Sequence, residues 1–249
     1  MALLTDRLVA TFALMTALPL ARPETRLLAA TPALFPLVGL ALGLILAVLD
    51  LGLSQFLPRL PSSAIVVLSL AAMTGALHLD GLADAADGLF GGRDPGSRLR
   101  IMNDPHNGAF GAIAVALVLM IQFAAIASLE GWLRSGSLIL FPMVSRTSLL
   151  WVMRFPRARP HGMGQSTAAP SLPAGVGLTV VAAAGSSVVF FPAGGLLVAV
   201  AVGIALAVGL YARRRIGGVT GDIFGAAIEV SQAAVLLAAA SSVETDWLA

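Results

Sequence analysis

The 249-residue chain has no cysteine and no lysine, and only 11% of its residues are charged. The absence of cysteine excludes disulfides and thiolate metal sites, and it leaves the redox compartment undefined. All fifteen basic residues are arginine and the formal net charge is only +2, so the composition does not predict a nucleic-acid-binding surface. A GC-rich genome would explain the missing lysine. The functional alternative is that the planar guanidinium group suits phosphate oxygens.

Long apolar stretches are what the chain has in abundance. Hydrophobic residues make up 58% of it and the mean hydropathy is +0.93, whereas soluble domains are about half apolar and about a quarter charged. A membrane-spanning helix needs about 20 mostly apolar residues. Seven stretches qualify, at 33–57, 62–79, 109–129, 137–153, 174–191, 195–212 and 223–242. The sequence therefore predicts an all-α fold, a polytopic membrane bundle of seven transmembrane helices that forms one domain over residues 1–249.

The first apolar segment, "LVATFALMTALPL" at 8–20, is shorter than these seven. It resembles the core of a signal peptide, but no basic leader precedes it and Asp6 offsets the charge of Arg7. We therefore predict a retained N-terminal helix that is short and amphipathic or interfacial.

The positions of the arginines predict the orientation, because cytoplasmic loops are enriched in Lys and Arg. Threading the seven spans in order assigns twelve arginines to one side and only Arg59 and Arg134 to the other. This places the amino terminus in the cytoplasm and the carboxyl terminus on the periplasmic side. The same threading brings segments 78–108, 154–170 and 216–225 to the cytoplasmic ends of their helices. We expect these three segments to line one chamber.

Three aspartates follow the second apolar stretch, in "HLDGLADAADGLFGG" at 78–92. Asp80, Asp84 and Asp87 share one helical face if the helix of the second span continues through residue 87. Clustered carboxylates repel one another and need a cation, and Mg²⁺ favours carboxylate and phosphate oxygens. Glycines that would let phosphates approach the backbone lie at 81, 88, 91 and 92. The alternative is a solvated acidic loop whose aspartates cap helices.

A second polar block, "RLRIMNDPHNGAFG" at 98–111, precedes the third span. Arg100 and Asp104 are four residues apart, a spacing that permits a helical ion pair. In the functional interpretation Asp104 is a further metal ligand or base and Arg100 contacts a phosphate. In the alternative interpretation the block is an ordinary loop before a capped helix.

Charged residues also interrupt the later apolar helices. Arg146 lies within the fourth span, where an unpaired charge costs about 2.5–3.5 kcal/mol on insertion scales, so it indicates a site; snorkelling to the membrane surface is the alternative. The segment "RFPRARPHGMGQ" at 154–165 combines arginines, His161 and glycines, a composition typical either of anion binding or of a loop that only sets topology.

The last block, "GGVTGDIFGAAIEVSQ" at 217–232, places Asp222, Gly225 and Glu229 on one helical face. Its first glycines suit phosphate approach or close helix packing. His78 and His106 are left out of the predicted site, because a single histidine beside a membrane helix is as often a hydrogen-bonded interfacial residue.

Taken in order, these blocks resemble the motifs of the cobalamin synthases, also called adenosylcobinamide-GDP ribazoletransferases. The matching segments are "LHLDGLADAADGLFGG", "RLRIMNDPHNGAFG", "RPHGMGQ" and "GGVTGDIFGAAIEVSQ", and they are spread across nearly the whole chain. The DGxxDxxD core alone is related to that of the CDP-alcohol phosphotransferases. The later motifs RIMxD, NGxFG and GGxTGD make the resemblance specific.

The resemblance implies a Mg²⁺-dependent enzyme of the bacterial cytoplasmic (inner) membrane that acts late in coenzyme B12 assembly. Such an enzyme joins adenosylcobinamide-GDP to α-ribazole, or to its 5′-phosphate, and releases GMP. Phosphoryl transfer of this kind needs charge neutralisation and an in-line nucleophile. The implied partners are these substrates and the lipid bilayer, but no nucleic acid. Further candidate partners are other copies of the chain, in a homo-oligomer, and other late cobalamin-assembly enzymes.

The resemblance also implies roles for individual residues. Asp80, Asp84 and Asp87 would hold Mg²⁺ against the diphosphate, with Asp104 or Asp222 completing the ligands. By analogy with the CDP-alcohol enzymes, Asp87 is the predicted base for the ribazole 3′-hydroxyl, and Asp84 and Asp104 are the other candidate catalytic carboxylates. The residues predicted to bind substrate are Arg100, Arg146, Arg154, Arg157, Arg159, His161, Gly88, Gly217, Gly218 and Gly221.

One position departs from the family pattern, since Asn103 stands where many relatives carry a basic residue. Two alternatives of function stay open. A membrane phosphotransferase with a CDP-linked donor would release CMP instead of GMP. An ion-coupled transporter would place its carboxylates near the bilayer midplane, often at broken helices in repeated halves, whereas here they cluster at one edge and no repeat is visible.

Overall fold

The computed structural model describes residues 2–18, 30–159, 169–190 and 193–244. Over these ranges the chain is helical and forms no β-sheet, which confirms the predicted fold class. A 3-10 turn at Pro32–Leu34 precedes the second helix. The α-helices of the described ranges are α1 (Ala2–Met15), α2 (Phe35–Leu53), α3 (Arg59–Met73), α4 (Leu77–Gly91), α5 (Pro95–Ile101), α6 (Ala109–Ser128), α7 (Gly131–Val152), α8 (Leu172–Val189), α9 (Gly194–Ile216) and α10 (Gly221–Glu244).

Five segments of the described chain are long and apolar enough to cross a membrane. Large apolar side chains remain exposed on their outer faces, as contact with lipid requires; examples are Leu44, Val48, Leu117, Met120, Val180 and Leu196. The five segments are Pro32–Leu53, Ala109–Ser128, Leu172–Val189, Gly194–Ile216 and Gly221–Ser241. Together, α3 and α4 make a sixth if they are taken as one broken span.

The second predicted span is wrong as a continuous helix. It breaks after Met73, and α4 leaves α3 at 86°. Gly75 and Ala76 both adopt left-handed backbone angles, with φ of 60° and 56°. A left-handed residue ends a right-handed helix and is unfavourable for alanine. The three aspartates therefore lie on a helix of their own, α4, and not on an extension of the second span.

The fourth predicted span corresponds to α7, which is less apolar than the others because it carries Arg134, Arg146 and several serines. It packs against α2, α8, α9 and α10 and so is surrounded by protein. Two glycines of α2 allow the closest approach: a Cβ on Gly39 would lie 2.3 Å from the Pro142 carbonyl oxygen, and one on Gly43 2.2 Å from that of Ile139. Because α7 faces other helices instead of lipid, its polar residues are tolerated.

Buried polar contacts join several helix ends at the end of the bundle that carries Arg134. Its guanidinium donates to both oxygens of Asp50 at 2.7 Å, to Ser63 Oγ at 3.0 Å and to the Ile126 carbonyl at 2.6 Å. Ser62 donates to Asp50 as well, at 2.6 Å. The end of α2, the start of α3, the end of α6 and the start of α7 therefore meet here. This is the end that the threading assigned to the arginine-poor side.

The other end of the bundle, which we call the acidic end, carries α4 and the start of α10. Backbone hydrogen bonds from Ala158 to Val219 (3.0 Å) and from Val219 to Pro156 (2.8 Å) tie the chain after α7 to the turn before α10. Arg215 of α9 donates to the Leu89 carbonyl of α4 at 3.1 Å. The three segments predicted to share a chamber thus meet at one end, as far as they are described.

The N-terminal segment forms α1, which confirms a short helix there; residues 19 and 20 of the predicted segment lie outside the described ranges. After the helix, the Ala17 amide donates to the Met73 carbonyl at 2.8 Å. Thr11, which is fully buried, accepts from the Thr31 amide at 3.0 Å. These contacts fix α1 against the corner between α3 and α4, at the acidic end.

Candidate active site

The aspartates of α4 are graded in exposure along the helix: Asp80 is exposed, Asp84 is half-buried and Asp87 is buried. Asp84 interacts electrostatically with Asp80, Asp87 and Asp222, and with the guanidinium of Arg159. Among the described residues, the four carboxylates of Asp80, Asp84, Asp87 and Asp222 therefore form one cluster, and Arg159 supplies the positive charge beside it. The structure brings together the first and last acidic motifs of the sequence, which are more than a hundred residues apart.

Asp222 reaches this cluster because two glycines let α4 and α10 pack backbone to backbone. A Cβ on Gly81 would lie 3.1 Å from the Asp222 carbonyl oxygen, and a Cβ on Gly225 would lie 2.8 Å from that of His78. Any larger side chain at these positions would force the helices apart. The glycines of "DGLAD" and "GDIFG" therefore serve helix packing, whereas the sequence had suggested that Gly81 lets a phosphate approach.

The glycines before α10 differ in their surroundings. Gly217 has a φ of 80°, which favours glycine, and it ends α9. A Cβ on Gly218 would lie 2.4 Å from the Pro156 carbonyl oxygen, so this residue is needed for the contact between the 156–158 and 217–219 segments. Gly221 has open space around its Cα and lines a cavity beside Asp222. Gly217 and Gly221 thus both have open space where a side chain would lie, and Gly221 also lines the cavity, whereas packing closes off Gly218.

Among the described residues, Arg159 forms an ion pair with the carboxylate cluster, its Nη1 atom lying 3.7 Å from Asp222 Oδ2. It also donates from Nη2 to the Leu99 carbonyl at 2.9 Å, which holds it across the site. The Arg157 guanidinium lies over the ring of Phe224, 4.6 Å from its centre, and burial lowers its pKa. Arg154 is exposed and donates to the Pro170 carbonyl at 3.0 Å. His161 lies outside the described residues.

Asp87 is hydrogen-bonded to the beginning of α6. Its Oδ2 accepts from the Gly108 amide at 2.7 Å, and its Oδ1 accepts from the Gly111 amide at 2.9 Å. A Cβ on either glycine would lie 2.4 Å from a carboxylate oxygen, which explains the NGxFG motif. In this structure the carboxylate predicted to be the base caps a helix.

Gly88, predicted to let a phosphate approach, is closed off by protein. A Cβ there would lie 2.3 Å from Met102 Cγ and 2.8 Å from the Arg98 carbonyl oxygen. This glycine therefore allows α5 to pack on α4, and a phosphate has no space on that side of its backbone.

The second block lies further out. Asp104 is exposed, and the backbone amide and ring Nδ1 of His106 lie 3.0 and 2.7 Å from its Oδ1. These contacts lower the pKa of Asp104. Arg100 is also exposed and interacts electrostatically with Asp94. Because α5 ends at Ile101, Arg100 and Asp104 do not lie on one helix and do not form the helical ion pair that their spacing permits. The predicted metal and phosphate roles of Asp104 and Arg100 stay predictions.

Arg146 is fully enclosed, which rules out snorkelling. Its Nη1 donates to the Pro142 carbonyl at 3.1 Å and to Gln232 Oε1 at 3.4 Å, and it interacts electrostatically with Glu229. Glu229 in turn accepts from Gln122 at 2.9 Å. Arg146 is thus paired inside the bundle and does not line the cavity at the acidic end. Its predicted contact with a substrate phosphate has no support in these interactions and stays a prediction.

A cavity of about 110 Å³ opens beside the carboxylates, between α1, α2, α4, α7 and α10. Asp80 and Asp222 line it together with His78, which the sequence analysis set aside, and with apolar residues such as Leu14 and Phe35. No sequence signal pointed to these apolar residues, because leucine and phenylalanine in a membrane helix are expected everywhere. His78 lies two residues before Asp80, and this proximity was the available clue.

The donor chemistry of the site suits a hard cation such as Mg²⁺. Carboxylate oxygens are its preferred protein ligands, and substrate phosphates usually supply others. Across the described ranges, however, no three His, Asp or Glu side chains are arranged closely enough to hold an ion by themselves. The mutual repulsion of Asp80, Asp84 and Asp222, offset by Arg159 within the part of the chain that the structure describes, is the observation that fits a bound cation.

Fold and site together define a polytopic helical membrane protein with a carboxylate cluster beside an apolar cavity. A family model described as cobalamin-5-phosphate synthase matches residues 7–240. The chain belongs to this family.

Individual relatives agree with the family match. A protein of Syntrophobacter fumaroxidans named adenosylcobinamide-GDP ribazoletransferase is 42% identical over 236 residues, covering 90% of this chain and 92% of its own. Proteins of the same name from Stutzerimonas stutzeri and Pseudomonas aeruginosa are 37% and 40% identical, covering 84% and 83% of this chain and 86% and 84% of their own. No solved structure matches the chain.

Proposed function

We propose that this protein is an adenosylcobinamide-GDP ribazoletransferase that acts in cobalamin synthesis. The acceptor is α-ribazole or its 5′-phosphate, and the products are adenosylcobalamin, or its 5′-phosphate, and GMP. The observation that carries the proposal is the carboxylate cluster of Asp80, Asp84 and Asp222 beside an apolar cavity, in a chain of this family. Such a cluster suits phosphoryl transfer, in which positioning and charge neutralisation do most of the catalysis.

In the reaction, the ribazole 3′-hydroxyl attacks the phosphorus that bears the cobinamide. A new P–O bond forms, the P–O bond to the GMP phosphate breaks, and a carboxylate takes the hydroxyl proton. Asp84 is better placed than Asp87 for this role. Both oxygens of Asp87 accept amide donors, whereas no hydrogen bond engages the Asp84 carboxylate among the described residues.

Asp80 and Asp222 would hold Mg²⁺, with Asp84, Asp87 and Asp104 as the other predicted ligands. When bound, the ion supplies charge neutralisation on the diphosphate oxygens. Arg159 contacts Asp222 and interacts with Asp84, so it is in position to pair with a phosphate that reaches the cluster. Arg157, held over Phe224, extends this basic edge.

The proposed location is the bacterial cytoplasmic membrane, with the amino terminus and the acidic end on the cytoplasmic side. The distribution of arginines supports this orientation, since twelve of the fifteen fall on the side of the acidic end by the threading. A tag at the carboxyl terminus should then be accessible from the periplasm. The lipid bilayer, a homo-oligomer and other late cobalamin-assembly enzymes are the proposed partners.

The test is to incubate the purified protein in detergent or vesicles with adenosylcobinamide-GDP, α-ribazole and Mg²⁺ and to measure GMP. We expect GMP and the cobalamin product in equal amounts, neither without acceptor, and loss of both when EDTA removes the metal. An active family member prepared in parallel controls for the assay. Absence of GMP while that control is active would refute the function. CMP release from a CDP-linked donor would support the phosphotransferase alternative.

A further inference from the structure

The cavity at the acidic end has two chemically different walls. The larger wall is apolar and is formed by Leu14, Met15, Phe35, Leu77, Leu149 and Phe224, among others. Among the described residues, the polar side chains at the cavity are His78, Asp80 and Asp222. A ligand that fits both walls is flat or compact, mostly apolar, and has a polar part on the side of the carboxylates.

The size of the cavity limits which part of a substrate it admits. Its volume of about 110 Å³ is smaller than the about 150 Å³ of an engineered apolar cavity that binds benzene, so it admits about one ring. A corrin macrocycle is several-fold larger and does not fit. The candidates that remain are the outer ring of the guanine of the donor and the methylated ring of the dimethylbenzimidazole base of the acceptor.

The chemistry of the lining favours the acceptor base. Guanine has donors and acceptors around most of its edge, and a wall of leucine, methionine and phenylalanine would leave them without partners, which is costly in a buried site. Dimethylbenzimidazole has one free ring nitrogen and an apolar edge with two methyl groups. Apolar side chains match that edge.

The position of the cavity agrees with this choice. Asp80 and Asp222 line the cavity and also interact with each other electrostatically. A nucleoside whose base fills the cavity therefore directs its sugar towards the carboxylates. The hydroxyl that attacks phosphorus belongs to that sugar.

We propose that this cavity binds the methylated ring of the dimethylbenzimidazole base of the acceptor nucleoside, with α1 as part of its wall. The inference rests on the proposed function, because it assigns one of that reaction's substrates to a place in the chain. It also gives the N-terminal helix a role, since Leu14 and Met15 contribute to the lining.

The test narrows the cavity and compares two acceptors. Leu77→Phe adds volume at a half-buried lining residue, and Leu117→Phe makes the same change on an exposed face of α6. We expect Leu77→Phe to raise the KM for α-ribazole about tenfold, since pockets discriminate single methylene groups by this factor or more. The KM for adenosylcobinamide-GDP should stay unchanged. The rise in the acceptor KM should be smaller for the nucleoside of unmethylated benzimidazole than for α-ribazole. Leu117→Phe should resemble the wild type in every measurement.

A second variant covers the case in which Leu77→Phe does not fold. Leu77→Ala removes apolar contact without adding volume, and we expect it to reduce the preference for the dimethylated base over the unmethylated one. If folded variants change the KM of the donor or the inhibition by GMP and leave the acceptor unaffected, the cavity binds the guanine nucleotide and the inference is wrong. If neither substrate is affected, the inference is also wrong. Failure of the proposed function would differ from both, because the wild type would then release no GMP with either nucleoside.

Discussion

Gly81 and Gly225 face each other across the contact between α4 and α10, and each would place a Cβ within 3.3 Å of the other's Cα. This contact is what brings Asp222 to the aspartates of α4. The carboxylate cluster therefore depends on two residues that have no side chain. Their smallness fixes the distance between the helices, and that distance determines whether the acids can act together.

Substituting Gly225 by alanine should reduce activity strongly. The new Cβ would lie 2.8 Å from the His78 carbonyl oxygen, a backbone atom that can move only with α4. We expect at least a tenfold loss of kcat together with lower thermal stability. Gly203→Ala is the control, because a Cβ at that helical position meets nothing within 4 Å. Equal behaviour of the two variants in a GMP-release assay would contradict this account of the helix contact.

The two neighbouring aspartates of α4 should respond differently to the same change. Asp84→Asn should lower kcat by about 10²–10⁴-fold, the usual contribution of a general base, with little effect on stability. Asp87→Asn should destabilise the protein by about 1–3 kcal/mol, because an amide nitrogen cannot accept and either the buried hydrogen bond from Gly111 or the part-buried one from Gly108 is lost. Measuring both activity and thermal unfolding separates these roles. A stable but inactive Asp87→Asn protein would restore Asp87 as the base.

The buried Asp50–Arg134 pair should stabilise the bundle without taking part in catalysis. Asp50→Asn leaves Arg134 enclosed with a weaker partner, and breaking a buried pair costs about 3–5 kcal/mol. The exposed pair of Arg59 and Glu130 at the same end gives the comparison, and Arg59→Ala should change stability by about 1 kcal/mol or less. Thermal unfolding would measure both, and the KM of each substrate should be unchanged in the folded protein. A substrate-specific loss in Asp50→Asn would contradict a purely structural role.

Among the arginines of the 154–159 segment, Arg159 should matter most for the phosphate-bearing substrate. It contacts Asp222 and interacts with Asp84, whereas Arg154 is exposed and bonded to the Pro170 carbonyl. We expect Arg159→Gln to lower kcat/KM for adenosylcobinamide-GDP about tenfold or more, and Arg154→Gln to lower it less than threefold, since charge-assisted hydrogen bonds to phosphate are the stronger kind. Steady-state kinetics with the donor varied would decide. Equal losses would mean that the segment acts only through its overall charge.

The apolar runs were sufficient to predict a helical membrane protein, because backbone groups in lipid must be satisfied within helices. The apolar runs predicted α7 less well, because its arginines and serines lower its hydropathy. These polar residues are tolerated because other helices surround α7. The break at Gly75 and Ala76 also went unpredicted. The left-handed geometry at Ala76 lies beside a hydrogen bond from the Ala17 amide to the Met73 carbonyl, and residue type alone does not reveal this contact.

The acidic motif shows where sequence reasoning reaches its limit. Helical spacing placed Asp80, Asp84 and Asp87 on one element, as the structure has them, but it could not show which of them another helix engages. Asp87 is distinguished by the amides of Gly108 and Gly111, which belong to another helix. Arg146 interacts with Glu229 and Gln232, which lie over eighty residues away along the chain, and its predicted contact with substrate stays a prediction.

The sequence by itself determined the membrane class, the helical spacing of the aspartates and the concentration of arginines at alternate helix ends, because these depend on composition and on the fixed geometry of a single helix. Only the tertiary structure decided that Asp222 joins the cluster, that Asp87 caps α6 and that a cavity opens beside His78. Those features depend on which helices touch and how closely they approach. The approach of two helices is determined by how glycines and large apolar side chains pack between them, and the spacing of residues along one helix does not specify this packing.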